Sequence, residues 1–134
     1  MPEPVLGALW IALGGALGSL ARYYASDALA RAVGPAFPWG TLLVNVSGSL
    51  LIGFVAGWEG GNGRLMESAF VRQFVMVGIC GGYTTFSAFS LQTLEMLHAG
   101  DVGRAGANVA ASVLLCVLGA WAGYALAAAL SKTA

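Results

Sequence analysis

Charge is what this chain has least of: 12 of its 134 residues carry it, six basic and six acidic. A soluble domain carries about 25 % charged residues. With 58 % apolar residues and a mean hydropathy of +0.80, no polar shell remains to hold the chain in water. That argues against a soluble enzyme or a nucleic-acid binder, and no partnership with nucleic acid is expected, since balanced charge gives no basic field for phosphates. One histidine and two cysteines are too few for a multi-ligand metal site or a disulfide framework. Glu3, with no lysine or arginine before Arg22, argues against a cleaved leader, so the first apolar stretch is expected to stay in the mature protein. Long linkers and low-complexity tracts are also missing.

The uncharged stretches run from Pro4 to Ala21 (18 residues), Ala32 to Trp58 (27), Gln73 to Leu94 (22) and Ala105 to Ser131 (27). Each is long enough to cross a hydrocarbon core that needs about 20 helical residues. Backbone amides must be satisfied within each segment in lipid, so the spans are helices. The expectation is an all-α membrane protein, a single four-helix transmembrane domain over 1–134, with helices near 4–26, 39–58, 70–97 and 105–131. Trp39 and Trp58 are 19 residues apart. At 1.5 Å per residue that is about 28 Å, the separation of the two interfaces where tryptophan prefers to sit. Trp10 and Trp121 fall inside spans and read as packing residues. Gly34, Pro35 and Pro38 break the chain before helix 2, and residues 59–63 form a glycine-rich turn after it.

With four spans, one side of the membrane receives Arg64, Arg72 and Lys132 and the other Arg22, Arg31 and Arg104. The positive-inside bias that normally fixes orientation is absent. Either the tally is a small-number coincidence or an outside partner sets the topology, or the chain inserts both ways and assembles as an antiparallel, dual-topology homodimer. Every span holds a GxxxG spacing: Gly14 and Gly18, Gly53 and Gly57, Gly78 and Gly82, Gly119 and Gly123. Such pairs let helices approach closely, and packing within one subunit would use them as well as assembly would.

Polar residues inside the spans must find a partner or line a wet path. Thr41, Asn45 and Ser49 recur every four residues on helix 2, as do Asn108, Ser112 and Cys116 on helix 4, so each set shares a face. Ser19, Arg22 and Ser26 close helix 1 at compatible spacing. Interhelical hydrogen bonding accounts for a lone serine; two neutral stripes in so apolar a chain point towards a pathway. No Asp, Glu, Lys or Arg lies deep within a span, and His98 falls near the end of helix 3, so a proton relay lacks its usual carboxylate or histidine. Hydroxyls and the asparagine amide can instead donate hydrogen bonds to a small anion without holding it as tightly as a buried cation would.

Helix 3 carries the densest pattern, Gly81-Gly82-Tyr83-Thr84-Thr85-Phe86-Ser87-Ala88-Phe89-Ser90. Two glycines followed by two β-branched threonines are poor material for a helix interior, and they occupy the centre of the span. A break there frees backbone carbonyls. In an antiparallel pair it meets its copy across the two-fold axis, and two carbonyls from each chain would cage a small hard cation. Phe86 and Phe89 share a face. Phenylalanines on a membrane helix are usually packing residues, but their ring edges carry the positive part of the quadrupole and could guide an anion.

The stretches Gly14 to Tyr23, Gly40 to Ser49 and Gly81 to Ser90 resemble those of the CrcB/Fluc fluoride channels, and the resemblance spans essentially the whole chain. It implies a passive fluoride-selective channel in the bacterial inner membrane, multi-pass and not an enzyme. It further implies a dual-topology homodimer with two pores and a central structural sodium ion that is not transported. By motif position, the Gly81 and Thr84 carbonyls would hold sodium. Phe86 and Phe89 would be the pore phenylalanines, Asn45 the pore amide with Thr41 on its face, and Ser87 part of the same motif. Ser112 would continue a polar track on helix 4 with Asn108 beside it, and Arg22 would lie towards a vestibule. Ala88, Gln92, Asn108 and Cys116 depart from residues common in the family, at the helix 3 motif and along the helix 4 track. Other classes remain to be separated from this one. A small dual-topology multidrug exporter would want a carboxylate inside helix 1, and residues 4–21 hold none. A purely structural subunit would tolerate apolar replacement of the stripes, and an intramembrane hydrolase would need a constellation that His98 lacks.

Overall fold

The computed structural model describes residues 3–58 and 67–132. The glycine-rich turn expected at 59–63 and Arg64 lie outside the described residues. All regular structure among the described residues is helical: α1 (Glu3–Val33), α2 (Trp39–Gly57), α3 (Val71–Cys80, continued by Gly81–Tyr83), α4 (Phe86–His98) and α5 (Val102–Ser131). Four segments are long and apolar enough to cross a membrane, with α3 and α4 together forming the third.

α1 runs about two turns beyond residue 26. Its polar end is carried by an Asp27–Arg31 ion pair at i, i+4 spacing, 2.7 Å, until Gly34, at φ +83°, turns the chain in a conformation that side-chain-bearing residues rarely adopt. α5 starts from Asp101, whose carboxylate accepts from the Arg104 amide at 3.2 Å, satisfying one of the orphan donors of the first turn.

Two helix pairs form the body: α2 lies against α5, and α1 against α3. The glycines explain the closeness. A side chain at Gly14 or Gly18 would run into the Phe74 or Ile79 carbonyl of α3, and one at Gly82 into the Gly15 carbonyl of α1. One at Gly53 or Gly57 would strike the Ala120 or Tyr124 carbonyl of α5, and one at Gly123 the Leu50 carbonyl of α2. These spacings are therefore used inside the subunit. They bring backbones together where lipid offers no hydrophobic drive for association.

Val71–Cys80 is wound as a π-helix, and the Gly81 amide donates to the Met76 carbonyl five residues back. Trp10 of α1 packs edge-on to Phe70 and Phe74, with centroids 4.9 and 5.9 Å apart, as expected of a packing residue. Trp121 does not follow: it is 69 % exposed on the outer face of α5. Its neighbours there, Leu114, Val117 and Leu118, are exposed as well, so that face meets lipid or another chain rather than this chain's own core. Trp39 and Trp58 stand at the two ends of α2.

Candidate functional site

The third span is interrupted at Thr84 and Thr85, both in extended backbone (φ −81°, ψ 158° and φ −152°, ψ 111°). Gly81 and Gly82 stay helical, so the helix is lost at the β-branched pair, whose χ1 is the more restricted. The interruption lies near the middle of the third apolar span, Val71–His98.

Extending two residues uncouples the carbonyls before them from the amides one turn on, and side chains of α1 and α2 take up most of the slack. Asn45 does the most: its Nδ2 donates to the Thr85 carbonyl at 3.0 Å, and its Oδ1 accepts from the Thr85 amide at 2.6 Å. Its amide thus pairs with Thr85 as a neighbouring strand would, leaving one N–H on Nδ2 for another acceptor. Arg22 Nη1 donates to the Thr84 carbonyl at 3.3 Å, and Ser19 Oγ reaches the Gly82 carbonyl at 3.5 Å. The Thr85 hydroxyl caps α4 by accepting from the Ala88 amide at 3.2 Å, and it also bonds with Ser87 Oγ at 3.2 Å. With the Thr85 amide given to Asn45, the Gly81 carbonyl lacks the partner that an unbroken helix would bring to it.

A cavity of about 430 Å³ opens on this segment, lined among others by Asn45, Ser49, Gly81, Thr84, Phe86, Phe89 and Ser112. Phe89 is buried and Phe86 is 78 % exposed; their centroids are 5.3 Å apart and their planes 48°. Phe86 therefore stands at the open side of the cavity. Ser112 is buried, and its hydroxyl has no protein partner among the described residues, so it is free to face the cavity.

A second cavity, about 530 Å³, lies towards the α1–α2 and α4–α5 turns and is lined by Thr41, Gln92, Glu95, Asp101 and Arg104 among others. Thr41 is one turn from Asn45 along α2, and Gln92 one turn from Phe89 along α4. Asn45 and Phe89 thus stand where one cavity gives way to the other. Gln92 Oε1 is fully enclosed without a hydrogen-bond partner, a costly state for an acceptor; among the described residues it is the only side-chain nitrogen or oxygen so enclosed, the Ser112 hydroxyl keeping an open side at the first cavity.

The two polar stripes are used unequally. Asn45, Ser49, Ser112 and Cys116 all line the first cavity and Thr41 the second. Asn108 lines neither: it is buried, and its Nδ2 donates to Thr93 Oγ1 at 2.9 Å, tying α5 to α4. Ser87 is exposed and held to Thr85. Arg22 lines a shallow groove with Ser19, Ser26 and Asp27 while its head reaches the interruption. Residue patterns did not single out Thr93, which receives Asn108, or the Ser47–Tyr83 hydroxyl pair at 3.0 Å that ties α2 to α3; each uses an ordinary hydroxyl whose partner is distant in sequence.

A sodium ion implied by the resemblance can be tested against these donors. The Gly81 carbonyl has lost its helical amide, and Gly81 and Thr84 line the same cavity. Neutral carbonyl oxygens suit a hard monovalent ion. The Thr84 oxygen has two lone pairs, of which Arg22 takes one. The two residues fit, though one chain supplies too few oxygens to surround an ion.

Comparison with known proteins gives the same direction. Residues 9–124 match the family described as CrcB-like protein, Camphor Resistance (CrcB). The chain is 49 % identical over 124 residues to a protein of Methylocella silvestris named fluoride-specific ion channel FluC, covering 92 % of this chain and 95 % of that one. It is 53 % identical over 124 residues to the FluC of Opitutus terrae (92 % and 94 % covered). It is 53 % identical over 116 residues to that of Rhodospirillum rubrum (87 % and 90 %).

Proposed function

Since the chain belongs to the CrcB-like family, we propose that it is a passive fluoride-selective channel of the bacterial inner membrane, and not an enzyme. The observation that carries this reading is a cavity lined by neutral donors at the interruption, followed past Asn45 and Phe89 by a second cavity that holds Glu95, Asp101 and Arg104. The free N–H of Asn45, the Ser112 hydroxyl and the edges of Phe86 and Phe89 can replace water around a small anion. The first residues of α4 add the positive end of a helix dipole beside Phe86. The first cavity carries no full charge in its lining, so the ion can also leave. Thr41 serves the outer cavity, while Asn108 and Ser87 act by fixing α4 and its cap. Arg22 raises the positive potential near the interruption.

The exposed ring of Phe86 and the cavity's open side suit closure by a second copy. With arginine and lysine balanced across the membrane, the copy is antiparallel, and the pair holds two pores. The position of Thr84 and Thr85 near the middle of the third span supports an interruption at the midplane, where it would meet its copy. Gly81 and Thr84 of both chains would then hold a structural sodium ion, whose chemistry is to screen and join four carbonyl dipoles. Fluoride that has entered as its neutral acid and ionised in the cytoplasm leaves through such a pore down its own gradient.

Reconstituted in liposomes loaded with fluoride or chloride, the protein is expected to release fluoride and retain chloride. Equal release of both, or release of neither, overturns the reading. Proton-driven movement of a lipophilic cation would instead support the exporter class.

A further inference from the structure

The first cavity holds more sulfur than an anion path requires. Met76 and Cys80, one turn apart on α3, and Cys116 of α5 all line it. Both cysteines are free thiols; Cys80 is buried and Cys116 half-buried. They are the chain's two cysteines, and the fold brings them to one chamber from helices 36 positions apart in sequence. The rest of the wall is largely apolar, with Ile52, Val113 and Val117. Thiols and a thioether form a soft donor set, which selects thiophilic metals over the hard cations that carbonyl oxygens suit.

We infer that Cys80 and Cys116, with Met76 beside them, form a binding site for a soft two-coordinate metal ion such as mercury(II), and that its occupation blocks the conduction path. On binding, each thiol S–H bond breaks as an S–Hg bond forms, and the two protons leave to water. The product is an uncharged bis-thiolate, the one form of a divalent ion that an apolar cavity accepts at little electrostatic cost. Oxidation states do not change. A metal held there stands in the chamber lined by Asn45, Ser112 and Phe89 and obstructs it, and fluoride, a hard anion, is a weak competitor for it. The site depends only on the cysteines; the block rests on the function proposed above.

The test titrates mercury(II) nitrate, in chloride-free medium, into the purified full-length protein. Binding is followed by the sulfur-to-mercury absorption band and by the number of thiols protected from maleimide. One mercury per subunit should protect both thiols together. Cys116→Ser should weaken binding roughly 100-fold by removing the chelate, and Cys80→Ser should do the same. If the buried Cys80 variant does not fold, Cys116→Ser alone decides. Two mercury ions per subunit, thiols that react independently, or undiminished affinity in Cys116→Ser would overturn the site. In fluoride-loaded liposomes the metal should stop efflux and a dithiol should restore it; continued efflux with both thiols occupied overturns the block. Protein that never conducts fluoride refutes the channel reading, while the binding titration still decides the site.

Discussion

Replacing Asn45 by alanine removes both hydrogen bonds that hold the Thr85 peptide groups. Thr85 is 9 % exposed, so its N–H would be left in a nearly dry setting with no helical acceptor in reach, whereas its C=O, at the N-cap of α4, keeps the first bond of that helix. A buried polar group without its partner costs about 1–3 kcal/mol and a lost hydrogen bond about 0.5–1.5, so the variant should lose roughly 1.5–4.5 kcal/mol. Water in the adjacent cavity moves the figure to the lower end. Asn45→Asp separates the two bonds, since a carboxylate can still accept from the Thr85 amide but cannot donate to its carbonyl. Stability of the purified protein would be measured by thermal unfolding in detergent, and protection of the Thr85 amide by hydrogen exchange. The expected order is wild type, then Asp, then Ala, with Thr85 protection falling most in the alanine variant. Flux should fall in both variants, because the free N–H that faces the cavity goes too. If Asn45→Ala keeps wild-type stability and Thr85 protection, Asn45 does not hold the interruption, and its place in this account fails.

Other perturbations separate packing from conduction. Gly53→Val drives a side chain into the Ala120 carbonyl, and overpacking of this kind costs about 1–3 kcal/mol; Gly106→Ala meets nothing within 4 Å and should be neutral or stabilising by up to about 1 kcal/mol, both read by thermal unfolding. Phe86→Ile and Phe89→Ile should each reduce fluoride efflux from liposomes, but only the buried Phe89 should also lower the stability of the single subunit. Ser112→Ala should slow efflux with little change in melting temperature, as its hydroxyl has no protein partner to lose. Thr93→Val removes the acceptor of Asn108, which is 2 % exposed, and should cost about 1–3 kcal/mol by leaving a buried donor unpartnered, detectable as loosened α4–α5 hydrogen exchange.

Much of the architecture is written in spacing alone, because four uncharged stretches of membrane length can do little else but cross. Asn45, Phe86 and Phe89 also stand out, since polarity or an aromatic pair is conspicuous in an apolar helix. Other features depend on distances that no local pattern carries. Nothing in the spacing of Asn45 shows that its amide spends itself on Thr85, 40 residues away. Asn108 and Ser112 share a face by periodicity, yet Thr93 draws only Asn108 aside. The glycine pairs leave assembly and internal packing equally open, and the carbonyls they meet settle the matter for packing. Trp121 reads as a packing residue because it sits mid-span, whereas the side of α5 that faces out of the subunit follows from how α5 docks on α2. The π-wound turn at Val71–Cys80 has no propensity signature at all.

Selective, passive movement of fluoride can be read in a planar bilayer holding the purified protein between unequal potassium fluoride and potassium chloride solutions. The current is expected to reverse at the fluoride equilibrium potential, to be insensitive to the chloride gradient and to need no proton gradient. A reversal that follows chloride or potassium, or fluoride movement only when a proton gradient is applied, would contradict the channel reading.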